Sequence, residues 1–160
     1  MSGVIAAIAV TLWGFSSDFL GRRKALVIAG VVSAILAIPA FYVWYLGAAT
    51  NDVALLYLGA ALAGWLTQWP WGLVPVYLSE RFATQRRASG VGFGYSSGIF
   101  ISAWMLLYSI PLYDLFKPIE DGNIWFVAAF WLILAGVVYG IAAFLGPETI
   151  GVDLRIAQEK

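Results

Sequence analysis

The charged residues of this chain combine carboxylates with guanidinium groups at spacings that suit ion pairing. Asp18 stands four residues before Arg22, Glu80 shares a short polar segment with Arg87, and Glu148 follows a proline near the end of the chain. Such groups form charge-assisted hydrogen bonds that can hold helix ends together. The chain contains no cysteine and no histidine. We therefore predict no disulfide, no metal site, no cofactor and no imidazole acid–base catalysis.

The elements that must position these charges are long apolar segments. Hydrophobic residues make up 62% of the chain and charged residues only 11%, which is typical of a membrane protein. Uncharged runs long enough to cross a bilayer as helices alternate with the charged clusters. We predict an all-α polytopic membrane helix bundle that forms a single domain, residues 1–160, with about five spans. These spans are residues 1–17, 25–47, 53–78, 89–113 and 124–146.

Lysine and arginine are distributed unevenly between the predicted loops. Loops 18–24 and 79–88 contain three of these bases each, the tail 147–160 contains two, and the rest of the chain contains one. The positive-inside rule predicts that both loops and the tail are cytoplasmic, in a protein of the cell membrane. The first span then starts outside with almost nothing before it, so we expect further sequence upstream.

The segment 14–24, with the sequence GFSSDFLGRRK, carries the most specific motif. It resembles the loop signature G-x-x-x-D-x-x-G-R-[RK] of the major facilitator superfamily, which follows the second and, more weakly, the eighth helix of that family. The resemblance implies that Asp18, Gly21, Arg22 and Arg23 belong to a cytoplasmic charge network that controls the inner gate. A positive-inside anchor with a turn is the simpler alternative.

Two further segments resemble signatures of the same superfamily. Residues 77–92, YLSERFATQRRASGVG, resemble Y-x-x-E-x-F-P-T-x-x-R-x-x-G-x-G, the loop after the tenth helix of sugar porters and of metabolite and sialate proton symporters. Residues 146–154, GPETIGVDL, resemble the P-E-T-[KR]-G-x-x-L ending after the twelfth helix. The resemblance adds Glu80, Arg87 and Glu148 to the network. It also assigns the chain to helices eight to twelve, a partial C-terminal six-helix bundle.

Polar and aromatic residues in mid-span are candidates for the substrate cavity, because such residues in membrane helices often serve function. The third span contains Trp65, Gln68 and Trp69 close to two prolines, and the fourth contains Tyr95. An amide can donate and accept hydrogen bonds, and indole faces can stack on a sugar ring. The alternatives are an aromatic belt or packing surface for the tryptophans and simple helix packing for the fourth span.

The resemblance implies secondary active transport of a small polar metabolite, such as a sugar or an organic or sialic-type acid, by alternating access and with proton coupling. The expected partners are this substrate, the lipid bilayer and an N-terminal transporter half, with no nucleic acid. A rival hypothesis is a non-transporting membrane protein, either a truncated product or a small assembly subunit. An enzyme is not predicted, because no nucleophile–base pair, metal cluster or phosphate loop is present.

Overall fold

The computed structural model describes residues 2–118 and 124–151, and within these ranges the chain forms α-helices and no strands. The all-α class is therefore confirmed. Residue 1 of the first predicted span and residues 152–160 of the predicted tail lie outside the described residues. In chain order the helices are α1 Ser2–Leu20, α2 Arg22–Thr50, α3 Val53–Arg81, α4 Arg87–Ala103, α5 Met105–Phe116 and α6 Trp125–Leu145.

The helices reach further into the charged clusters than the predicted spans do. Helix α2 starts at Arg22 and runs for 29 residues, which corresponds to about 43 Å at 1.5 Å per residue. The predicted loop 18–24 shrinks to Gly21 alone, because arginine favours helix and its long side chain can reach the membrane surface. At the other end, Asn51 is left-handed and the Asp52 carboxylate caps the first turn of α3.

Helix α2 is the centre of the bundle and packs on α3 along one side and on α6 along the other. Glycines allow the closest approach: a Cβ atom at Gly30 would lie 2.5 Å from the Gly136 carbonyl oxygen of α6, and a Cβ at Gly136 would lie 2.5 Å from the Gly30 carbonyl. Helix α1 packs on the opposite side of α3, where Gly72 meets the Val10 carbonyl. Small residues thus bring these helices together as membrane helices often do.

Two clusters of buried side chains form the core between these helices. The first surrounds Phe41 and Leu66 in the middle of α2 and α3, and the second surrounds Trp69 and Leu73 nearer the charged helix ends. Much of the remaining apolar surface is exposed, including isoleucines, valines and phenylalanines on α2 and α6. Exposed apolar faces on long helices are the faces that a bilayer covers.

In the described part of the chain, α1, α2 and α6 are long and apolar enough to cross a membrane, and the α4–α5 pair counts as a fourth crossing if it is one broken span. The chain is therefore a multi-pass membrane protein. Helix α3 has the length of α2 and packs along it, but Thr67, Gln68 and Pro70 lower its hydropathy. Its role as a span stays a prediction.

The predicted continuous span 89–113 is instead two helices, α4 and α5, bent by 44° at Trp104. Just before the break, the Ser102 hydroxyl donates a hydrogen bond to the Ile99 carbonyl at 2.9 Å, and such back-bonds bend helices. Of the described residues in α4 and α5, none is buried. Tertiary packing therefore does little to straighten the pair.

Candidate functional site

A cluster of charged side chains joins the helix ends at one side of the bundle, with the Arg22 guanidinium at its centre. Its Nε donates to Glu80 Oε1 at 3.0 Å and Oε2 at 3.3 Å, and its Nη1 donates to the Asp18 carboxylate and the Ser17 hydroxyl. The side chains of Arg22 and Glu80 are 13% and 19% exposed, whereas that of Asp18 is 53% exposed. Water therefore screens the Arg22–Asp18 ion pair more strongly than the Arg22–Glu80 ion pair. The contact with Glu80 contributes more to holding these helix ends together.

The Glu148 carboxylate, from the segment after α6, caps the N-terminus of α2. It accepts hydrogen bonds from the backbone N–H groups of Arg22 at 2.8 Å and Arg23 at 3.2 Å, and also from those of Thr149 and Ile150. Burial alone would raise the pKa of Glu148, but these four N–H donors outweigh it and hold the pKa below the usual carboxyl value. The group therefore stays ionised at neutral pH and complements the positive end of the helix dipole.

Gly21 makes this capping arrangement possible. Its φ of +91° lies in the region that side chains disfavour, and a Cβ atom there would lie 2.6 Å from Glu148 Oε2. The absence of a side chain at Gly21 lets α1 turn directly into α2 and lets the carboxylate approach the backbone amides.

Two further side chains connect α3 to the segment after α6. The buried Thr149 hydroxyl donates to Glu80 Oε2 at 2.6 Å, and the Tyr77 hydroxyl donates to the Pro147 carbonyl at 3.1 Å. Glu80 therefore accepts hydrogen bonds from Arg22 and Thr149 at once. The result is one connected network that links the end of α1, the start of α2, the end of α3 and the segment after α6. We call it the charge cluster.

The charge cluster brings together most, but not all, of the residues that the motifs suggested. Arg23 joins it only through its backbone N–H, since its guanidinium lies over the Phe144 ring at 5.1 Å. Arg87 lies apart: its side chain donates to the Phe82 carbonyl and the Thr84 hydroxyl within its own loop. Glu148 meets backbone amides rather than guanidinium groups, because the turn at Gly21 exposes the N-terminus of α2.

Sequence reasoning missed Ser17, Tyr77 and Thr149 as members of the charge cluster. Each stands inside or beside a motif that was recognised: Ser17 precedes Asp18, Tyr77 opens the second motif and Thr149 follows Glu148. Their positions were therefore a usable signal. A hydroxyl beside a motif carboxylate is a suitable partner for neighbouring charged groups when helix ends converge.

A first cavity in the bundle lies between α1 and α3 and contains Gln68. It has a volume of about 270 Å³ and is bordered by Gly3, Ala6, Tyr57 and Gly64. The small residues create the space, and the half-buried Gln68 amide supplies a donor and an acceptor. Among its described lining residues there is no acid and no base.

The second cavity lies between α3, α4 and α6 and contains Tyr95. It has a volume of about 350 Å³, and its polar groups include Ser102 and Tyr139. The Tyr95 ring meets the Trp71 ring edge-on, with 6.0 Å between their centroids. Gln68 and Tyr95 therefore border separate cavities on two sides of α3.

Trp65 and Trp69, the other predicted cavity residues, pack with the core, and Trp65 also borders a smaller cavity between α2 and α3. Trp65 packs against the Phe41 cluster and lies 6.4 Å from Trp13 between ring centroids, while Trp69 is fully buried and meets Tyr139 edge-on at 5.3 Å. Their substrate role stays a prediction, and the burial of Trp69 favours packing. Within the described residues, the buried indole N–H groups of Trp13 and Trp69 have no acceptor. Sequence analysis gave no role to Trp13.

Comparison with known proteins gives one family match. The family model described as "Sugar (and other) transporter" matches residues 1–160. No solved structure matches the chain. The match extends over all the helices, so it includes the charge cluster and both cavities.

Proposed function

Because the chain belongs to the sugar (and other) transporter family, we propose that it is the C-terminal part of a secondary active transporter that moves a small polar metabolite by alternating access. The family is one of transporters, so the chain is not an enzyme. We further propose that the charge cluster faces the cytoplasm, that the membrane is the cell membrane, and that transport is coupled to protons. The positive-inside distribution of lysine and arginine supports the orientation.

The charge cluster is the observation that carries this proposal. It connects three helix ends and the segment after α6 through hydrogen bonds and an ion pair. Ion pairs and hydrogen bonds of this kind hold one arrangement of helix ends and re-form after it is disturbed. In the proposed mechanism, the cluster stabilises the conformation that is closed to the cytoplasm and loosens when the two halves of the transporter rock apart.

A sugar is the substrate class that we propose first, with an organic or sialic-type acid as the second. The polar groups at the two cavities include the amide of Gln68 and the hydroxyls of Tyr57, Tyr95, Ser102 and Tyr139. Neutral donors and acceptors beside aromatic rings suit polyhydroxy compounds. An acid would be expected to need a base, and the described linings of both cavities contain none.

The proton carrier belongs, in this proposal, to the N-terminal half of the transporter. Neither cavity has a carboxylate among its described lining residues, and the low pKa of Glu148 makes it a poor carrier at neutral pH. The described residues of α4 and α5, none of them buried, supply surface on which partner helices can pack. This surface is equally compatible with the rival hypothesis of a non-transporting assembly subunit, so a transport assay must separate the two.

The test is uptake of radiolabelled compounds by liposomes that contain the full-length protein. We expect uptake of a neutral hexose that a proton gradient stimulates and a proton ionophore abolishes. Gln68→Ala should weaken uptake, whereas Thr11→Ala, an exposed change in α1, should not. Preference for a sialic or other organic acid would replace the sugar assignment. Uptake at the same rate with and without the proton gradient would contradict proton coupling. If none of these compounds is taken up, the result would favour the non-transporting assembly subunit.

A further inference from the structure

Arg23 and Lys24 form a basic pair whose side chains the charge cluster does not use. In the described part of the chain, neither side chain takes part in a salt bridge. The Arg23 guanidinium rests over the exposed Phe144 ring of α6, and Lys24 is exposed beside it at the start of α2. Both cations therefore point to the outer surface of the bundle, close to where α2 enters the membrane.

A continuous cleft begins at this basic pair and runs between α2 and α6. Its first part, about 580 Å³, is bordered by Arg23, Lys24, Val27 and Phe144. Its second part, about 330 Å³, has the border residues Val27 and Phe144 in common with the first part. It continues past the close contact of Gly30 with Gly136 and reaches Ile35. Every described residue that borders the second part is apolar. At Gly140, which borders this part, the missing side chain leaves space open.

The dimensions of the cleft match one leaflet of a bilayer. Arg23 and Ile35 are twelve helical residues apart, or about 18 Å, whereas half of a hydrocarbon core is about 15 Å. Val31, Ile35 and Ile141 along the groove are half or more exposed, so it opens toward lipid rather than into the bundle. The basic pair lies at the membrane-surface end, and the apolar part lies at the depth of acyl chains.

We propose that this cleft binds one anionic phospholipid, with its phosphate on Arg23 and Lys24 and one acyl chain along the groove between α2 and α6. Paired cations at the membrane surface favour anionic over zwitterionic headgroups. Glu148 also borders the first part of the cleft, but its carboxylate is engaged by four backbone N–H groups. The two cations of Arg23 and Lys24 outweigh this one carboxylate, so the headgroup end of the cleft has a net positive charge. This site adjoins the charge cluster at Glu148 and shares no lining residue with the two cavities beside α3.

The headgroup is tested by titrating the delipidated full-length protein with phosphatidylglycerol or with phosphatidylcholine of identical acyl chains and counting bound lipids by native mass spectrometry. We expect one tight phosphatidylglycerol and weaker phosphatidylcholine. The double variant R23Q/K24Q should bind phosphatidylglycerol about thirtyfold more weakly. The control R81Q/R86Q removes the same charge from the same side of the bundle and should change binding by less than about threefold, well below the effect of one near-surface base.

The acyl-chain groove is tested with Gly140→Leu. A Cβ atom at Gly140, which borders the groove, meets nothing within 4 Å, so a larger side chain there can extend into the groove. Gly92→Leu is the matched control, since a Cβ there also meets nothing within 4 Å. We expect Gly140→Leu alone to weaken phosphatidylglycerol binding. Equal binding of both lipids, equal losses in R23Q/K24Q and R81Q/R86Q, or full binding by Gly140→Leu would each overturn the proposal.

Discussion

At the scale of single residues, Arg22 has more partners in the charge cluster than a simple topology anchor needs. Its guanidinium contacts Asp18 and Glu80, and its backbone N–H donates to Glu148. A substitution of the side chain removes the first two contacts and leaves the capping bond intact. The role of the guanidinium can therefore be separated from the role of the helix end.

We predict that Arg22→Ala in the full-length protein slows uptake about tenfold while membrane insertion is preserved. A largely shielded, hydrogen-bonded ion pair contributes about 1–3 kcal/mol. The closed conformation would lose this stabilisation in Arg22→Ala. Initial uptake rates, normalised to the amount of inserted protein, measure this. Arg86→Ala is the control, because Arg86 is an exposed base on the same side. Unchanged kinetics in Arg22→Ala would remove the gating role.

A second residue-scale prediction concerns the pH dependence of the Glu148 cap. Because its pKa is lowered in the folded protein, its contribution to stability is present above the ordinary carboxyl pKa and is lost as pH falls through the lowered value. Glu148→Gln keeps the shape and removes the charge. The variant should be less stable than the native protein by about 1 kcal/mol from pH 8 to pH 5.

Thermal unfolding in detergent across this pH range measures the difference between Glu148→Gln and the native protein. The gap should close only in strong acid, after the native carboxylate has been protonated. A gap that closes already between pH 7 and pH 6 would show that Glu148 titrates near neutrality and would contradict the capping account.

The structure brings together the carboxylates and Arg22 that the motifs suggested, at converging helix ends, and their gating role stays a prediction. The motifs could not predict that Arg87 satisfies its donors inside its own loop, since that depends on the local path of residues 82–86. They also could not predict that Glu148 meets amides instead of side chains. That contact depends on the positive φ of Gly21.

At the scale of elements, the crossing of α2 and α6 depends on the absence of side chains at Gly30 and Gly136. We predict that Gly136→Ala lowers the free energy of unfolding by about 1–3 kcal/mol, because its Cβ would lie 2.5 Å from the Gly30 carbonyl oxygen. Gly140→Ala, one turn later in the same helix, meets open space and should be neutral or mildly stabilising. Unfolding with denaturing detergent compares the two. Equal stability of both variants would contradict the close crossing.

Apolar runs in the sequence predicted where the helices lie but not where they end or bend. The predicted spans end at the charged clusters, yet α2 and α3 each run for 29 residues. Arginine and glutamate are good helix formers, and at the membrane surface they can continue a helix. No glycine or proline lies at the break at Trp104, so the sequence contains no helix-breaking residue that predicts the bend. The bend follows the Ser102 back-bond, and weak packing of α4 and α5 does little to straighten it.

At the scale of the whole molecule, the orientation in the membrane is open to a direct test. We predict that an impermeant maleimide reacts from the cytoplasm with Gln85→Cys and from outside with Thr50→Cys. Both positions are exposed, and this chain has no cysteine of its own. Thr50 ends α2 and Gln85 lies in the loop after α3, so the predicted crossing by α3 would separate them. Labelling of both from the same side would show that α3 is not a span.

The order of synthesis determines when the cap on α2 can form. The Arg22 amide and the Glu148 carboxylate are 126 residues apart along the chain. At roughly 5–20 residues per second, translation leaves the N-terminus of α2 without its final partner for about 6–25 s. During that interval water at the membrane surface must hydrate the amides. The contact can therefore form only after α6 has been inserted, which makes it a late step in biogenesis rather than a nucleus for it.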